Sequence, residues 1–561
     1  MTDATGKHAA LTGQGQPFGK QDWYAILALC VLCLVLFFFQ LGGHPLWDVD
    51  EGMHAATSKD MVLTGDWVTT RVNGVNFYDK TVLFNWFAAL SFLVFGFTEF
   101  AARVPAALLG LGTVLVTFLL GRRLFGLRGG LLGGMILATG PEFIVLSRTV
   151  MHDISLAFFI TLALYFFYIA FSTPHRRMVN LVLFYASLGF AVLAKGPIGI
   201  LLPGMIIFFF LLLRGRFGFL KEMSLGWGTL IFLVVAAPWY VLISIRNEDY
   251  LSYFIMKQNF GNFLSKTQAL HPQPFYYYVP ALLVGMMPWS FFAPLAVVRP
   301  LRQGLRSLGD GVLFLLLWFS GIFLFFSAAN SKLGTYLLPA FPAVALLVAN
   351  LWRDLTAAPS TALRRAACWS IAPLPVLFLA ATAWIMIKRP AAVKLEKLYG
   401  IHLYDLNGFW IAITAILLVA VLFLIFKRYQ AAFAALAATF AVGFLMALVA
   451  YLPMIDPYRS TRTLAREMDQ RLPLGERLVF FWRLRDSALF YTDRRATILY
   501  TEKELHDHLT SGKTALCVIE KEQYRQLPQI VALSSVLGEE GNKVLIAGTA
   551  KGTGENQHAL D

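Results

Sequence analysis

Apolar runs long enough to cross a membrane recur along most of this chain. A helix needs about 20 apolar residues to cross a hydrocarbon core about 30 Å thick, and short polar loops separate runs of this length. The pattern predicts an α-helical polytopic membrane protein with 13 spans within residues 22–453. We place them near residues 23–41, 104–121, 130–146, 154–172, 178–194, 197–213, 226–245, 276–297, 311–328, 335–351, 368–387, 409–426 and 431–451.

Charge in the loops predicts the topology. We expect residues 1–21 to be disordered and cytoplasmic. The loop after each even-numbered span then lies inside, and every one of these loops is basic, as the positive-inside rule requires. These inside loops carry Arg122, Arg123, Arg128, Arg176, Arg177, Arg214, Arg216, Lys221, Arg299, Arg302, Arg306, Arg353, Arg364, Arg365, Lys427 and Arg428. The alternation holds if the short apolar piece Val82–Phe97 lies along the interface instead of crossing the membrane.

Two large segments are then expected outside. Residues 43–103 form an outer loop with interfacial helices, and residues 454–561 form a domain outside the membrane, on the same side as that loop. In this tail, short β-rich runs such as LVFFW and ALCVIE alternate with charged helical segments such as TEKELHDHL. That alternation predicts a small α/β fold.

Composition argues against a soluble protein and against a nucleic-acid-binding protein. With 58% hydrophobic and 14% charged residues and a mean hydropathy of +0.63, the chain is too apolar for a soluble protein of its length. The net charge of +14 lies in membrane loops, where it sets topology, so no nucleic-acid partner is expected. The 4 cysteines have neither disulfide-framework nor zinc-site spacing.

Acidic and basic residues expected on the same outer face suggest chemistry. The polar stretch Trp47–Lys80 holds six acidic residues, and Asp50 begins a short helix that Gly65 can close. The other candidates on this face are Arg148, Asp153, Lys195, Lys332 and the segment 246–274. Glycosyl transfer from a lipid phosphate suits this mixture, because carboxylates stabilise an oxocarbenium-like transition state and cations meet the departing phosphate.

The same residues have plainer explanations. Asp50 and Asp153 are also suited to capping helices, and Asp79 with Lys80 is also explained as a solvated ion pair. Lys195 and Lys332 lie at span ends, where lysines commonly extend to the interface. The topology was assigned from the basic loops alone, yet it places all of these acids and lysines on the same side of the membrane. This favours a functional site.

An ordered set of motifs resembles a known family. VDEGMHA, GDWVTTRVNGVNFYDK, FGFTEFAARVPAALLG, LSRTVMHDISLAFF, AKGPIGILLPG, PFYYYVPALLVGMMPWS and SKLGTYLLPAFPA follow one another through residues 46–350. The chain resembles polyprenyl-phosphate-dependent C-type glycosyltransferases, in the branch of lipid A aminoarabinose transferases related to protein O-mannosyltransferases. The tail, with FYTDRR, is similar too.

The resemblance implies roles for individual residues. The catalytic residues would be Asp50, Glu51 and Asp153. The ligands of the donor phosphate would be Lys80, Lys195, Lys332, Arg148 and His271, and Tyr78 and Tyr336 would bind substrate. Asp79 stands where the family has a glutamate associated with a metal, and Thr81 and Val82 replace the usual prolines. A divalent cation is therefore an expected cofactor whose site departs from the family pattern.

The resemblance also implies an activity and its partners. We expect inverting transfer of a sugar from a polyprenyl-phosphate donor to an envelope acceptor on the periplasmic face of the bacterial inner membrane. The first candidate is 4-amino-4-deoxy-L-arabinose passed to a lipid A phosphate; another sugar passed to a protein hydroxyl or another envelope glycan is the alternative. A lipid flippase or transporter would instead need ionisable residues at mid-membrane and paired broken helices, and an assembly or sensor protein would use the tail to bind a partner.

Overall fold

The computed structural model describes residues 18–254, 256, 261, 271–357, 359–387, 407–511 and 514–548. Nearly all of the N-terminal segment predicted to be disordered lies outside these ranges, as do residues 388–406. The described chain is a helical membrane part followed by a small α/β domain, and the predicted fold class is confirmed.

Ten helices in the described ranges are long and apolar enough to cross a membrane. They are Lys20–Phe38, Glu99–Ala138, Asp153–Ser172, Arg177–Lys195, Leu225–Arg246, Asp310–Ala328, Gly334–Ala357, Thr361–Trp384, Gly408–Ile425 and Tyr429–Arg459. A pair, Phe275–Gly285 and Trp289–Leu301, meets the same test together but bends by 118° where Pro288 interrupts the run. Ile198–Arg214 is a shorter apolar helix of 17 residues. Short helices at Pro141–Leu146, Phe219–Glu222 and Tyr250–Ser252 connect these elements.

The longest helix is two arms that meet at Gly126. Its φ of 79° and ψ of 179° are not helical, and they break the 40-residue stretch Glu99–Ala138. The arms pack closely, since a Cβ at Gly130 would lie 2.6 Å from the Phe118 carbonyl oxygen. When the two arms are counted as separate spans, and the bent pair and Ile198–Arg214 as one span each, the described residues contain the 13 predicted spans.

The predicted inside loops meet at one end of the bundle. Their arginines pair with acidic residues of neighbouring loops and helix ends. The pairs are Arg122 with Asp22, Arg177 with Glu222, Arg214 with Asp310 and Arg299 with Asp354. The basic loops grouped by their charge thus lie at the same end of the helix bundle, and the acidic stretch Trp47–Lys80 lies at the opposite end.

The outer loop contains two helices and a short hairpin. The first helix, Asp50–Thr64, is called the loop helix below; strands β1 (Arg71–Val72) and β2 (Val75–Asn76) form the hairpin. The second helix, Leu83–Phe95, has 13 residues and a length of about 20 Å, too short for the membrane core. Phe84 and Phe92 are buried while Leu93 and Val94 are exposed, as expected of a helix lying at an apolar interface.

The α/β domain holds a five-stranded sheet of mixed direction. Its strands are β3 (Leu478–Phe481), β4 (Ala496–Leu499), β5 (Leu516–Glu520), β6 (Ser534–Glu540) and β7 (Lys543–Gly548), in the order β4-β3-β5-β7-β6. β3 is parallel to β4 and β5, whereas β7 is antiparallel to β5 and β6. The helices are Arg462–Arg471, Asp486–Tyr491, Glu502–Leu509, Lys521–Arg525 and Pro528–Leu533. β3 is buried along its whole length, as its sequence LVFF requires.

Candidate active site

Asp50 is the first residue of the loop helix, as the sequence predicts. Gly65 ends this helix with a φ of 71°, a left-handed conformation that glycine adopts without strain. One side of the helix is buried through residues such as His54, Ala55 and Met61. Asp50 remains exposed at the N-terminal end of the loop helix, the positive end of the helix dipole.

Glu51, the adjacent acid, is buried in an ion pair with Arg103. Both of its oxygens accept from the guanidinium, at 2.8 Å and 2.7 Å, and one also accepts from the backbone N–H of Trp47 at 3.1 Å. Arg103 donates its remaining hydrogens to the carbonyls of Leu41, His44 and Pro45. Sequence reasoning did not find Arg103, which holds the outer loop together around Glu51.

Asp153, Lys195 and Tyr336 meet where three membrane helices end. Asp153 begins one span and Lys195 ends the next, so antiparallel packing brings their side chains together as a hydrogen-bonded ion pair. The Lys195 ammonium also lies 4.2 Å from the centre of the Tyr336 ring, a cation–π distance. The Tyr336 phenol is within electrostatic reach of Lys80, Asp153 and Asp50. Predicted donor-site and catalytic residues therefore converge around Tyr336.

Two imidazoles adjoin this cluster, since His152 directly precedes Asp153. His54 and His152 pack with ring centres 4.4 Å apart, and both are almost fully buried. Burial lowers the pKa of His54 to about 3, with the Lys80 charge adding to the effect, and burial also lowers the pKa of His152. Both rings are therefore neutral near pH 7. The sequence pattern gave no reason to single them out.

Lys332 is buried, and its ammonium is bound to the backbone. It donates to the carbonyl of Gln273 at 3.1 Å and to that of Ala329, and burial lowers its pKa. The backbone N–H of Lys332 donates to the His271 carbonyl at 2.9 Å, and this hydrogen bond joins the two segments that carry these residues. His271 is exposed. The two residues are neighbours, as a shared role requires.

Tyr78 and Asp79 contact the segment that follows the Leu225–Arg246 span. The Tyr78 hydroxyl donates to Asn247 at 2.9 Å, and Asp79 accepts from the Tyr253 hydroxyl at 2.5 Å. Burial, with Asp79, raises the pKa of Tyr253 to about 12. Within the described ranges, His, Cys, Asp and Glu side chains form no group of three or more able to hold a metal ion. The role of Asp79 in holding a divalent cation stays a prediction.

Arg148 contacts the end of the first span. Its guanidinium donates to the carbonyls of Leu36 and Phe39, at 3.0 Å and 2.8 Å, and faces the Phe444 ring. Burial, with the nearby charge of Arg103, lowers the pKa of Arg148 to about 10. This arrangement fixes a helix end, and the phosphate-binding role of Arg148 stays a prediction.

Glu142 is a further acid that the sequence did not indicate. Its carboxylate contacts the backbone at Gly285 and lies near Gly334, in the loop that carries Lys332 and Tyr336. Burial, with the charge of Asp153, raises the pKa of Glu142 to about 7. Its position in the first turn of a short helix after Gly-Pro made it look like an ordinary helix-start residue.

Comparison with known proteins identifies the family. Residues 79–242 match the family described as dolichyl-phosphate-mannose-protein mannosyltransferase. The undecaprenyl phosphate-alpha-4-amino-4-deoxy-L-arabinose arabinosyl transferase of Aeromonas salmonicida is 31% identical over 66% of this chain and 68% of its own length. An uncharacterized protein of Aquifex aeolicus is 31% identical over 83% of this chain and 87% of its own length.

A solved structure shares the fold. The crystal structure of ArnT from Cupriavidus metallidurans bound to undecaprenyl phosphate matches with a TM-score of 0.77 and 23% identity, over 95% of this chain and 99% of that one. The expected enzyme class is confirmed: relatives and fold are those of glycosyltransferases that use lipid-phosphate-linked sugars. The chain belongs to the family of undecaprenyl phosphate-alpha-4-amino-4-deoxy-L-arabinose arabinosyl transferases, polyprenyl-phosphate-dependent C-type glycosyltransferases of the membrane.

Proposed function

We propose that this enzyme transfers 4-amino-4-deoxy-L-arabinose, or a closely similar sugar, from undecaprenyl phosphate to a phosphate of lipid A. Transfer takes place on the periplasmic face of the inner membrane and inverts the anomeric carbon. One observation carries the proposal: the Asp153–Lys195 ion pair lies against the Tyr336 ring, and the charges of Lys80 and exposed Asp50 are within electrostatic reach of the Tyr336 phenol. The activity named for the relatives of Aeromonas salmonicida and Pseudomonas aeruginosa supports the choice of donor.

The charges suit a direct displacement. An acceptor oxygen attacks the anomeric carbon while the bond from that carbon to the donor phosphate oxygen breaks, and the bonding electrons leave with undecaprenyl phosphate. Lys80 and Lys195 neutralise the charge that develops on this leaving group. Asp153 orients the Lys195 ammonium through their ion pair.

The acceptor decides what Asp50 does. A lipid A phosphate is already a nucleophile and loses no proton, so Asp50 orients it or the sugar hydroxyls. A protein hydroxyl must lose a proton, and Asp50 is then the base that takes it. The match of residues 79–242 to protein mannosyltransferases favours the hydroxyl acceptor as the second candidate.

Mass spectrometry of lipid A and envelope glycoproteins, with and without the gene, separates the two candidates. Loss of an aminopentose from lipid A phosphate supports the first candidate; unchanged lipid A with a glycan missing elsewhere supports the second. A tag added after Asp561 should react with a membrane-impermeant reagent in intact spheroplasts, because the α/β domain is proposed to lie on the periplasmic face. Protection of that tag from the outside would contradict the proposed orientation.

Purified variants test the residues. We expect Asp50→Asn and Lys195→Met to lose at least about 100-fold in kcat, because each removes a charge that acts in the transition state. Asp60→Asn, on the same helix, and Lys221→Met, in an inside loop, are the matched controls and should keep their activity. Near-normal kcat in Asp50→Asn would overturn the proposed site.

A further inference from the structure

The α/β domain binds the residues that immediately precede Asp50. The Asp48 carboxylate accepts from the Ser487 N–H at 2.7 Å and from the Thr461 hydroxyl at 3.2 Å. The Asp48 N–H donates to the Arg459 carbonyl at 2.7 Å. Residue 48 is therefore tied to the end of the last span, to Thr461 just after it and to the domain itself.

The first turn of the loop helix touches the same part of the domain. A Cβ at Gly52 would lie 2.5 Å from the Ser487 nitrogen and 2.7 Å from its Cα, closer than any real side chain approaches backbone. Only glycine allows this contact between the loop helix and the Asp486–Tyr491 helix. The close approach leaves the two helices little freedom to slide.

Lys59 joins the two helices at their other ends. Its buried ammonium donates to the carbonyls of Phe490 at 2.7 Å and Thr492 at 3.2 Å, and it pairs with Asp493 at 2.8 Å. These carbonyls lie at the C-terminal end of the Asp486–Tyr491 helix, where a cation is favoured by the helix dipole. The loop helix is thus held to the domain over most of its length.

A further contact joins the outer-loop hairpin to the edge of the sheet. The Asn73 side chain donates to the Ala496 carbonyl at 2.9 Å and accepts from the Ala496 N–H at 2.7 Å. Ala496 begins β4, the edge strand. The reciprocal pair satisfies backbone groups that an edge strand otherwise leaves open.

We propose that the α/β domain is the positioning element for Asp50, with Asp48 as the main positioning residue. The inference rests on the catalytic role proposed for Asp50. Asp50 itself is exposed, but Asp48 is fixed by Ser487 and Glu51 by Arg103. Catalytic groups must be held within about 0.5 Å, and a misplacement of about 1 Å can cost about 100-fold in rate. Anchoring on both sides supplies that constraint while leaving the Asp50 carboxylate open to substrate.

The test uses full-length protein with Asp48→Ala and the conservative Asp48→Asn. Alanine removes both acceptors, whereas asparagine keeps an oxygen for the Ser487 N–H. We expect Asp48→Ala to lower kcat about 10- to 100-fold with the donor KM unchanged, since the lysines proposed to bind phosphate lie on other elements. Asp48→Asn should recover most of the loss.

A double-mutant cycle identifies the route of the effect. If Asp48 acts through Asp50, Asp48→Ala should add no further loss in an Asp50→Asn background. Losses that multiply in the double variant would overturn the inference, as would wild-type kcat in Asp48→Ala. A rise confined to the acceptor KM would also overturn it and assign the domain to acceptor binding.

Two further readouts keep the test decisive. If Asp48→Ala does not fold, Thr461→Val removes one hydrogen bond to Asp48 at nearly constant volume and should lower kcat by a smaller factor with the donor KM unchanged. Thr461→Val with wild-type kcat would then count against the inference. Activity retained in Asp50→Asn refutes the proposed function, whereas inactive Asp50→Asn with fully active Asp48→Ala refutes only the positioning role.

Discussion

The buried pair of Glu51 and Arg103 provides the sharpest test of which acid beside the site is catalytic. Sequence resemblance groups Glu51 with Asp50, but the structure commits both Glu51 oxygens to Arg103. We expect Glu51→Gln to be a stability variant. Removing one charge of a buried pair costs about 3–5 kcal/mol, because the partner charge stays buried without compensation.

Arg103→Met should cost more than Glu51→Gln. It leaves Glu51 unpaired and also removes the donors to the carbonyls of Leu41, His44 and Pro45. An unsatisfied buried carbonyl adds about 1–3 kcal/mol. The double variant Glu51→Leu with Arg103→Met should be more stable than Arg103→Met alone, because no isolated charge remains.

Thermal unfolding of purified protein in detergent, followed by tryptophan fluorescence, measures these effects. Activity is measured at a temperature where each variant is folded. We expect Glu51→Gln to lower Tm clearly and to keep a substantial part of kcat below its transition. Unchanged Tm with kcat reduced about 100-fold or more would refute this reasoning and make Glu51 a catalytic residue.

Two further predictions concern groups near the site. Burial, with Asp48 adding, raises the pKa of Asp486 from 3.8 to about 7; the folded state therefore holds a proton that the unfolded chain releases, and unfolding becomes easier as pH rises from about 4 to 7. Asp486→Asn should flatten that fall, worth up to about 4 kcal/mol, in Tm measured between pH 4 and 8; an unchanged slope would contradict it. Arg148→Leu should lower Tm by leaving the Leu36 and Phe39 carbonyls without donors, at about 1–3 kcal/mol each, with the donor KM unchanged. A raised donor KM that Arg148→Lys restores would support the phosphate role instead.

Hydropathy and loop charge were sufficient for the membrane fold because both act locally along the chain. The turn at Gly126 shows the limit of this information. Arg122, Arg123 and Arg128 predicted an open loop, yet the chain stays helical up to Phe125 and turns at one residue. Long basic side chains reach the interface from within helix ends. Basic residues therefore locate the membrane boundary more accurately than they locate the end of a helix.

The helix that begins at Asp50 was predictable for the same local reason, since an acid at its start and Gly65 at its end act within one turn. The partners of its neighbours were not. Glu51 pairs with a residue 52 positions away, and Lys59 bonds one 431 positions away. No periodicity in the sequence encodes such contacts. Arg148 and Lys332 show the same limit, because nothing in the sequence indicated that both side chains also donate to backbone carbonyls.

The contact between Asp48 and Ser487 spans 439 residues of sequence and has a consequence for biosynthesis. The outer loop leaves the ribosome early, yet the two groups that bind the Asp48 carboxylate follow it by 413 and 439 residues. A nascent chain with all its membrane helices inserted still lacks the partner of Asp48. The outer loop therefore reaches its final arrangement only after Ser487 has been made, and products that terminate between the last membrane helix and Ser487 would insert in the membrane with this loop unanchored.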